Sequence, residues 1–294
     1  MGEVYALTCA LVWGLAVILF RRSGETMPPL ALNLFRVAIS SVLFLVTLGI
    51  RGQPLLRAAP VADYAILAAS GVIAIAISDT LFHACLNRVG AGINAIVDTL
   101  YSPFIMLFAA LMLGESMGGL RLLGMGLIIS GVLLTTRAQP PPGTTRRTLV
   151  TGILLGVGAM ASIAFGIVLA KPVLERTDVL WATTVRQLAS LAVLLPAALL
   201  APARRRYIAV FRPQASWRFS IPGTLLGSYV ALLFWIAGMK HTAAGTAAVL
   251  NQTSTIHVLV FASLFLGERF TQRKAVAAVL ALAGVGLVLR PTFG

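Results

Sequence analysis

Long runs of apolar residues follow one another along almost the whole chain and restrict its fold more than any other feature. Each run has about 17 to 25 residues, the length that a helix needs to cross a hydrocarbon core about 30 Å thick. Hydrophobic residues make up 59% of the 294 residues and charged residues only 11%. In lipid every backbone N–H must be bonded within its own helix or within a closed barrel. The sequence therefore predicts an all-α integral membrane protein.

Ten transmembrane spans fit between short connections that contain turn residues. They lie at approximately 4–20, 30–50, 64–86, 91–113, 119–136, 149–170, 178–200, 218–238, 243–266 and 273–290. The longest polar break reads RAQPPPGTTRRT, and its run of prolines favours an extended spacer that cannot continue a helix. We predict a first five-helix repeat at residues 1–137, a proline-rich linker at 138–148 and a second repeat at 149–294.

The two halves resemble each other at a shift of 153 residues. FAALMLGESM, which begins at Phe108, lies over FASLFLGERF, which begins at Phe261, and the shift places Asp98 on Asn251. Each copy has five spans, an odd number, so the second copy enters the bilayer upside down. Two inverted repeats are a common architecture of secondary transporters, because they provide conformations open to either side.

A glutamate follows a glycine near the end of the repeated phrase in both halves, at Glu115 and at Glu268. Each lies between the end of one span and the first turn of the next. There a carboxylate can accept hydrogen bonds from free N–H groups and interact with the positive end of the following helix dipole. We interpret both glutamates as structural caps.

The formal net charge of +14 is distributed between the apolar runs. This is how membrane proteins anchor helix ends and set their orientation, so we expect no nucleic-acid partner. In the loops and at the span ends, the side that holds both termini has about 7 Lys or Arg and the opposite side has about 14. The charge bias therefore predicts termini outside the cytoplasm.

Polar and aromatic residues inside the spans are the candidates for substrate contact, because ionisable groups at membrane depth usually face a cavity or a partner. Asp79 and His83 share one stripe of the third span, and Asp98 and Tyr101 share one of the fourth. The substrate-binding residues predicted in this way are Trp13, Asp79, Phe82, His83, Asp98, Tyr101, Phe165, Trp235, Asn251 and Ser254.

Two questions about the charged residues stay open at this point. Asp79 and His83 form either a neutralised internal pair or a pair that titrates near neutral pH. Arg36 and Arg186 place one cation in the second span of each repeat. They are either counter-ions for the buried aspartates, the role that we favour, or contacts for a substrate carboxylate.

The motifs of common enzyme and metal sites are missing. The chain has no H-E-x-x-H and no P-loop, its two cysteines lack metal-ligand spacing and its three histidines are scattered. We therefore expect no enzymatic activity, no metal and no cofactor.

With its duplicated unit, the VWG at Val12–Gly14, an arginine in each second span and both LGE…G…GV segments, the chain resembles the EamA-type ten-helix exporters of the drug/metabolite transporter superfamily. The resemblance covers nearly the whole chain. It implies a secondary transporter that exports small metabolites by alternating access, acting as a monomer in a bacterial inner membrane. The alternatives that it leaves are multidrug or other metabolite efflux and a channel-like facilitator.

Two departures from relatives narrow what the resemblance implies. Small four-helix relatives couple efflux to protons through a glutamate in their first span, but this chain has no acid in that span after Glu3. Proton coupling therefore stays open. Sugar-phosphate exchangers place several lysines in the cavity, whereas this chain has three lysines in all, at or near helix ends. Amino acids, with aromatic ones favoured, are the expected substrates.

Overall fold

Every regular element of the described chain is a helix. The structure, a computed structural model, describes residues 2–114, 118–136, 144–241 and 250–288. The first half contains α1 (Gly2–Ser23), α2 (Pro29–Ile50), α3 (Val61–Gly71), α4 (Ser78–Asp98), α5 (Tyr101–Leu113) and α6 (Gly119–Thr136). The second half contains α7 (Arg146–Arg176), α8 (Val179–Leu200), α9 (Arg204–Ile208), α10 (Trp217–Gly223), α11 (Ala231–His241), α12 (Ser254–Leu266) and α13 (Gln272–Val288).

Several of these helices are long and apolar enough to cross a bilayer, so the chain is a multi-pass membrane protein. In the described part these are Gly2–Ser23, Pro29–Ile50, Val61–Asp98, Arg146–Arg176 and Val179–Leu200. Shorter apolar helices, such as α5 and α6, accompany them. The outer faces carry large exposed apolar side chains, including Val42 and Leu133, which lipid can cover. The number of ten spans stays a prediction.

Helices that the repeat relates have matching bounds. A shift of 153 carries α5 onto α12, and it carries the start of α6 onto the start of α13. Gly114 and Gly267 end α5 and α12 in the left-handed conformation, with φ of 70° and 65°. Their N–H groups donate to the carbonyls of Ala109 and Ala262, another pair at the same shift. The repeated LG therefore encodes the same helix ending twice, as the αL cap requires.

A π-helical segment occurs at the same place in each half. Val72–Ile77 joins α3 to α4, and Thr224–Val230 joins α10 to α11. A π segment leaves carbonyls without their usual helical partners, and it is often found at functional sites. In the first half the buried amide of Asn33 donates to the carbonyls of Ile75 and Ala76, at 2.9 and 3.1 Å.

The two halves run antiparallel, as the crossing of α6 and α13 shows. A Cβ atom added to Gly131 would lie 2.7 Å from the carbonyl oxygen of Ala277. A Cβ atom added to Gly284 would lie 2.5 Å from that of Gly124. The shift of 153 relates Gly124 to Ala277 and Gly131 to Gly284, so the contact is reciprocal. Residue numbers rise along α6 while they fall along the facing part of α13, so these two counterpart helices are antiparallel, as the predicted inversion requires.

Contacts elsewhere between the halves are reciprocal too. Helix α1 packs against α11, α12 and the second π segment, while its counterpart α7 packs against α4, α5 and the first π segment. Helices α2 and α8, which are also counterparts, pack against each other. Reciprocal contacts of this kind define an approximate two-fold axis. Because the counterparts α6 and α13 are antiparallel, that axis runs across the helices, as an inverted repeat requires.

One interruption lies just before the predicted fourth span, and a second divides it. At Gly90 the φ angle is 80°, which is a conformation that favours glycine. The chain then stays helical to Asp98 and breaks at Thr99 and Leu100 before α5. Pro103 has no N–H to donate to the carbonyl of Thr99, which accounts for the break. Asp98 is therefore placed at the end of a half-helix, where its side chain can face the interior.

Substituting Gly131→Leu or Gly284→Leu should destabilise the protein, because the added side chain must push apart backbones that are in contact. Overpacking of this kind costs about 1–3 kcal/mol. Gly126→Leu on α6 and Gly286→Leu on α13 are matched controls, since a Cβ atom at either position meets nothing within 4 Å. Thermal unfolding in detergent measures the effect. Equal melting temperatures for the two pairs of variants would contradict the close crossing.

Candidate functional site

A cavity of ≈ 230 Å³ lies between the two repeats and touches both π segments. Four charged side chains line it: Arg36, Asp79, Asp98 and Arg186. Its lining thus carries two formal positive charges and two formal negative charges. Lipid cannot stabilise an isolated ion at this depth.

Arg36 and Asp79 neutralise each other. A guanidinium nitrogen of Arg36 lies 2.8 Å from a carboxylate oxygen of Asp79. The Nε of Arg36 donates to the hydroxyl of Ser228 at 2.8 Å, and the guanidinium lies over the ring of Phe20 at 5.5 Å. Because Arg36 and Asp79 belong to the first repeat and Ser228 to the second, this ion pair also connects the repeats. This geometry is the one expected of a counter-ion for a buried aspartate.

Arg186, the counterpart of Arg36, has no such partner. Only 6% of the residue is exposed, and it forms no ion pair with any described residue. Its Nε is buried without a hydrogen-bond acceptor in that part of the chain. The reason is visible in the repeat: the shift of 153 places Asp79 on Leu232, an apolar residue that also lines the cavity. The second repeat kept the arginine and has no acid at that position.

Asp98, in the first repeat, is an anion without a partner in the described chain, as Arg186 is a buried cation without one. It lines the cavity at the end of α4 and forms no ion pair or hydrogen bond with a described residue. The negative end of the half-helix dipole at that position makes an unpaired carboxylate less favourable still. Its counterpart in the second repeat is Asn251, which also lines the cavity. The cavity therefore contains one cation and one anion that no described residue pairs.

Aromatic rings form much of the remaining wall. Trp13, Tyr101 and Trp235 line the cavity, together with the polar side chains of Asn251 and Ser254. A narrower crevice continues from it between Trp13, Asp98 and Ser254, and Phe82 lines this crevice. The rings of Trp13 and Phe82 lie 5.9 Å apart. The structure thus brings together eight of the ten predicted contact residues, with Phe82 at the edge.

Two predicted contact residues lie away from the cavity wall. His83 is fully buried one turn beyond Asp79, and its ring packs on Phe20 and Phe82 at 5.2 and 5.5 Å. Neither ring nitrogen has a hydrogen-bond partner in the described chain. The structure shows no pairing of His83 with Asp79, whose partner is Arg36. Phe165 packs edge-on against Phe108 at 5.4 Å.

Several lining residues were not among the predicted contacts. Ser228 lies in the second π segment, and Gln187 lies one position after Arg186, where its amide donates to Ser40 at 3.2 Å. The repeat could have predicted Ser228, because its counterpart Ile75 lies four residues before Asp79 and so on the same helix face. Cys9 also lines the cavity, with its thiol near the carbonyl of Ala231.

Glu268 of the second repeat forms hydrogen bonds with the backbone of the first repeat. Its carboxylate accepts hydrogen bonds from the N–H groups of Ala91 and Gly92 at 2.6 and 3.0 Å, and the ammonium of Lys274 lies 3.3 Å away. The prediction that Glu268 caps the helix that follows it in sequence was wrong. Glu268 caps instead the half-helix of the first repeat that begins after Gly90, because the antiparallel arrangement brings the start of that half-helix close to it. Glu115 lies outside the described residues.

The described chain contains no group of three or more His, Cys, Asp or Glu side chains that could hold a metal ion.

Residues 1–137 and residues 150–290 each match the EamA-like transporter family. The chain belongs to the EamA-like transporter family. The resemblance drawn from its sequence motifs is therefore confirmed, and the chain is a membrane transporter whose substrate is a small molecule. Since members of this family are transporters, the match also supports the expectation that the chain is not an enzyme.

Two relatives of this EamA-like transporter extend over nearly its whole length. The probable terminal-alkyne amino-acid exporter of Streptantibioticus cattleyicolor is 27% identical over 297 residues, which cover 99% of this chain and 94% of that protein. A solved crystal structure has a TM-score of 0.67 at 17% identity and covers 97% of this chain and 95% of its own. That second likeness concerns the fold alone.

Removing one partner of the Arg36–Asp79 pair should cost more stability than removing both. A buried charge left alone costs about 3–5 kcal/mol, whereas loss of a whole pair is often nearly neutral. We expect Asp79→Asn and Arg36→Gln each to lower the melting temperature in detergent, and the double variant to recover much of the loss. A double variant whose loss equals the sum of the two single losses would show that the residues do not interact.

Proposed function

We propose that this EamA-like transporter exports amino acids, with aromatic ones favoured, by alternating access through the cavity between its repeats. We place it in a bacterial inner membrane, as a monomer with both termini outside the cytoplasm. The observation that carries the proposal is the unpaired cation and the unpaired anion in one small cavity. The bacterial relative whose name is that of an amino-acid exporter supports it.

A zwitterion suits these two charges better than an ion of either sign. Arg186 can donate two parallel hydrogen bonds to a carboxylate, and Asp98 can accept from an ammonium. The four lining charges already balance, so a substrate with no net charge leaves the cavity neutral. A dianion or a lipophilic cation would add uncompensated charge at membrane depth.

The walls of the cavity favour an aromatic side chain. Trp13, Tyr101 and Trp235 provide ring faces and edges, against which another ring stacks or packs edge-on with a gain of about 0.5–1.5 kcal/mol beyond its buried area. Amide and hydroxyl groups of Asn251 and Ser254 accompany the rings and can satisfy polar substituents. In this proposal the aromatic rings select the side chain of the amino acid, and the two charged residues select its ammonium and carboxylate groups.

The position of the cavity supports alternating access. Its lining residues come from the first half of α1, at Cys9 and Trp13, and from the start of α8. Beyond them, Phe20 and His83 pack together, and the Glu268 contact joins the repeats past that layer. A second contact at this end is the hydrogen bond from Arg22 to the carbonyl of Phe265, at 2.8 Å. We infer that these contacts seal one end and release when the other end closes.

A channel-like facilitator of the same fold is the alternative mechanism, and multidrug efflux is the alternative substrate class. Proteoliposomes loaded with unlabelled phenylalanine distinguish the mechanisms, because a carrier accelerates uptake of labelled phenylalanine by counter-flow and a channel does not. Labelled threonine and a lipophilic cation, tested in parallel, separate the substrate classes. An imposed pH gradient tests for coupling to protons.

Substitutions at the two unpaired charges should each weaken recognition of one end of the substrate. A hydrogen bond to a charged group is worth about 1.5–3 kcal/mol, or about a tenfold to hundredfold change in KM. We expect Arg186→Gln to raise the KM for phenylalanine by that factor and to change it little for phenylalaninamide, which lacks the carboxylate. Asp98→Asn should in the same way spare N-acetylphenylalanine, which lacks the ammonium. Proteoliposome flux measures both.

The controls for this experiment remove charges outside the cavity. Arg88 donates to the carbonyl of Ala84 on its own helix, and Glu25 pairs with Arg22 at the surface. Arg88→Gln and Glu25→Gln should leave the KM values unchanged. If Arg186→Gln weakens transport of phenylalanine and of its amide equally, Arg186 has a structural role and the proposed binding mode is wrong.

Substituting Glu268→Gln should favour the state that is open at the sealed end, because it removes the charge that holds Ala91, Gly92 and Lys274. In a background without the native cysteines, a His83→Cys reporter lies between the cavity and this end. We expect its modification by a soluble thiol reagent to become about tenfold faster or more. Glu175→Gln, which removes an exposed carboxylate near the end of α7, is the matched control. An unchanged rate in the Glu268→Gln variant would show that this contact does not restrict access.

A further inference from the structure

The segment from the start of α9 to the start of α10 carries five arginines, and none of them pairs with an acidic residue of the described chain. Arg204, Arg205, Arg206, Arg212 and Arg218 are all exposed. None forms an ion pair with a described residue, and the sequence has no acidic residue between Asp178 and Glu268. Other cations of the described chain do have such partners, as in the pairs Arg22–Glu25 and Lys274–Glu268.

This segment is folded, and we name residues 204–218 the arginine platform. Helix α9 continues into a short 3₁₀ turn at Ala209–Phe211. Val210 is buried, and its carbonyl accepts a hydrogen bond from the indole of Trp217 at 2.8 Å. The rings of Phe211 and Trp217 pack on Phe35 of α2 at 5.6 and 5.9 Å. Because the apolar side chains are fixed against α2, the arginines are held on the outer surface.

The platform directly follows the end of a helix long and apolar enough to cross the membrane. Helix α8 is a 22-residue span that ends at Leu200, whose side chain is 85% exposed, and the first arginine follows four positions later. Phe211, which is 37% exposed, lies among the arginines. Apolar residues next to exposed arginines at the end of a span match the depth of lipid headgroups.

We propose that the arginine platform binds the headgroups of anionic lipids. Juxtamembrane clusters of basic residues are attracted to anionic headgroups, and arginine binds phosphate oxygens through two parallel hydrogen bonds. A platform with fixed backbone and no internal carboxylate provides several such sites at once. This lipid binding does not depend on which solute the protein transports.

The test measures how tightly the delipidated full-length protein binds phosphatidylglycerol in detergent, by native mass spectrometry, with phosphatidylcholine as the uncharged comparison. The triple variant Arg204→Gln, Arg205→Gln, Arg206→Gln should weaken binding of phosphatidylglycerol at least about tenfold and leave phosphatidylcholine unaffected. The double variant Arg212→Gln, Arg218→Gln should weaken it in the same direction, and it provides a second readout if the triple variant does not fold.

A matched control removes three exposed cations elsewhere, at Arg146, Arg147 and Arg269. The platform is supported if this control keeps its affinity for phosphatidylglycerol within about twofold of the unmodified protein. It is overturned if both triple variants lose affinity equally, which would indicate a diffuse effect of net charge. It is also overturned if inorganic phosphate displaces the lipid at concentrations similar to those of the lipid, because the site would then be one for free anions.

Discussion

A charge inside a bilayer can be stabilised only by another charge or by hydrogen bonds that the protein or a ligand supplies, and this constraint accounts for most of the interior. Arg36 and Asp79 satisfy each other, and Ser228 completes the pair from the opposite repeat. Arg186 and Asp98 line the same cavity with no partner in the described chain. A protein that leaves both signs unpaired at membrane depth has a polar site that a ligand of matching charges can complete.

The duplication explains where that site lies. Where the two copies agree, they build the scaffold: both π segments, the ends of α5 and α12 at glycine, and the reciprocal crossing at Gly131 and Gly284. Where the copies differ, the charges of the cavity become asymmetric, because the second copy has Leu232 in place of Asp79 and Asn251 in place of Asp98. In the proposed mechanism, the symmetry of the repeats would provide two related conformations, and the differences between them would provide recognition of a substrate whose two ends differ.

The sequence predicted the membrane class, the duplication and most of the cavity, since hydropathy and a fixed shift report them directly. It could not predict which side of each helix faces the cavity. On α7 the lining residues Met160, Ile163 and Ile167 keep helical spacing, so Phe165 falls on another face. His83 shares a stripe with Asp79, but the cavity ends between them. The partner of Glu268 was missed because local sequence indicates the following helix, and only the antiparallel packing brings a distant half-helix closer.

The central claim is that the charges left unpaired by the protein bind the two ends of a zwitterion, and a structure determined with phenylalanine bound tests it most directly. The account predicts the carboxylate within hydrogen-bonding distance of the Arg186 guanidinium, the ammonium at Asp98 and the ring among Trp13, Tyr101 and Trp235, with the Arg36–Asp79 pair intact. Phenylalanine bound outside the cavity, or bound in it with its carboxylate on Arg36 and that pair broken, would contradict the account.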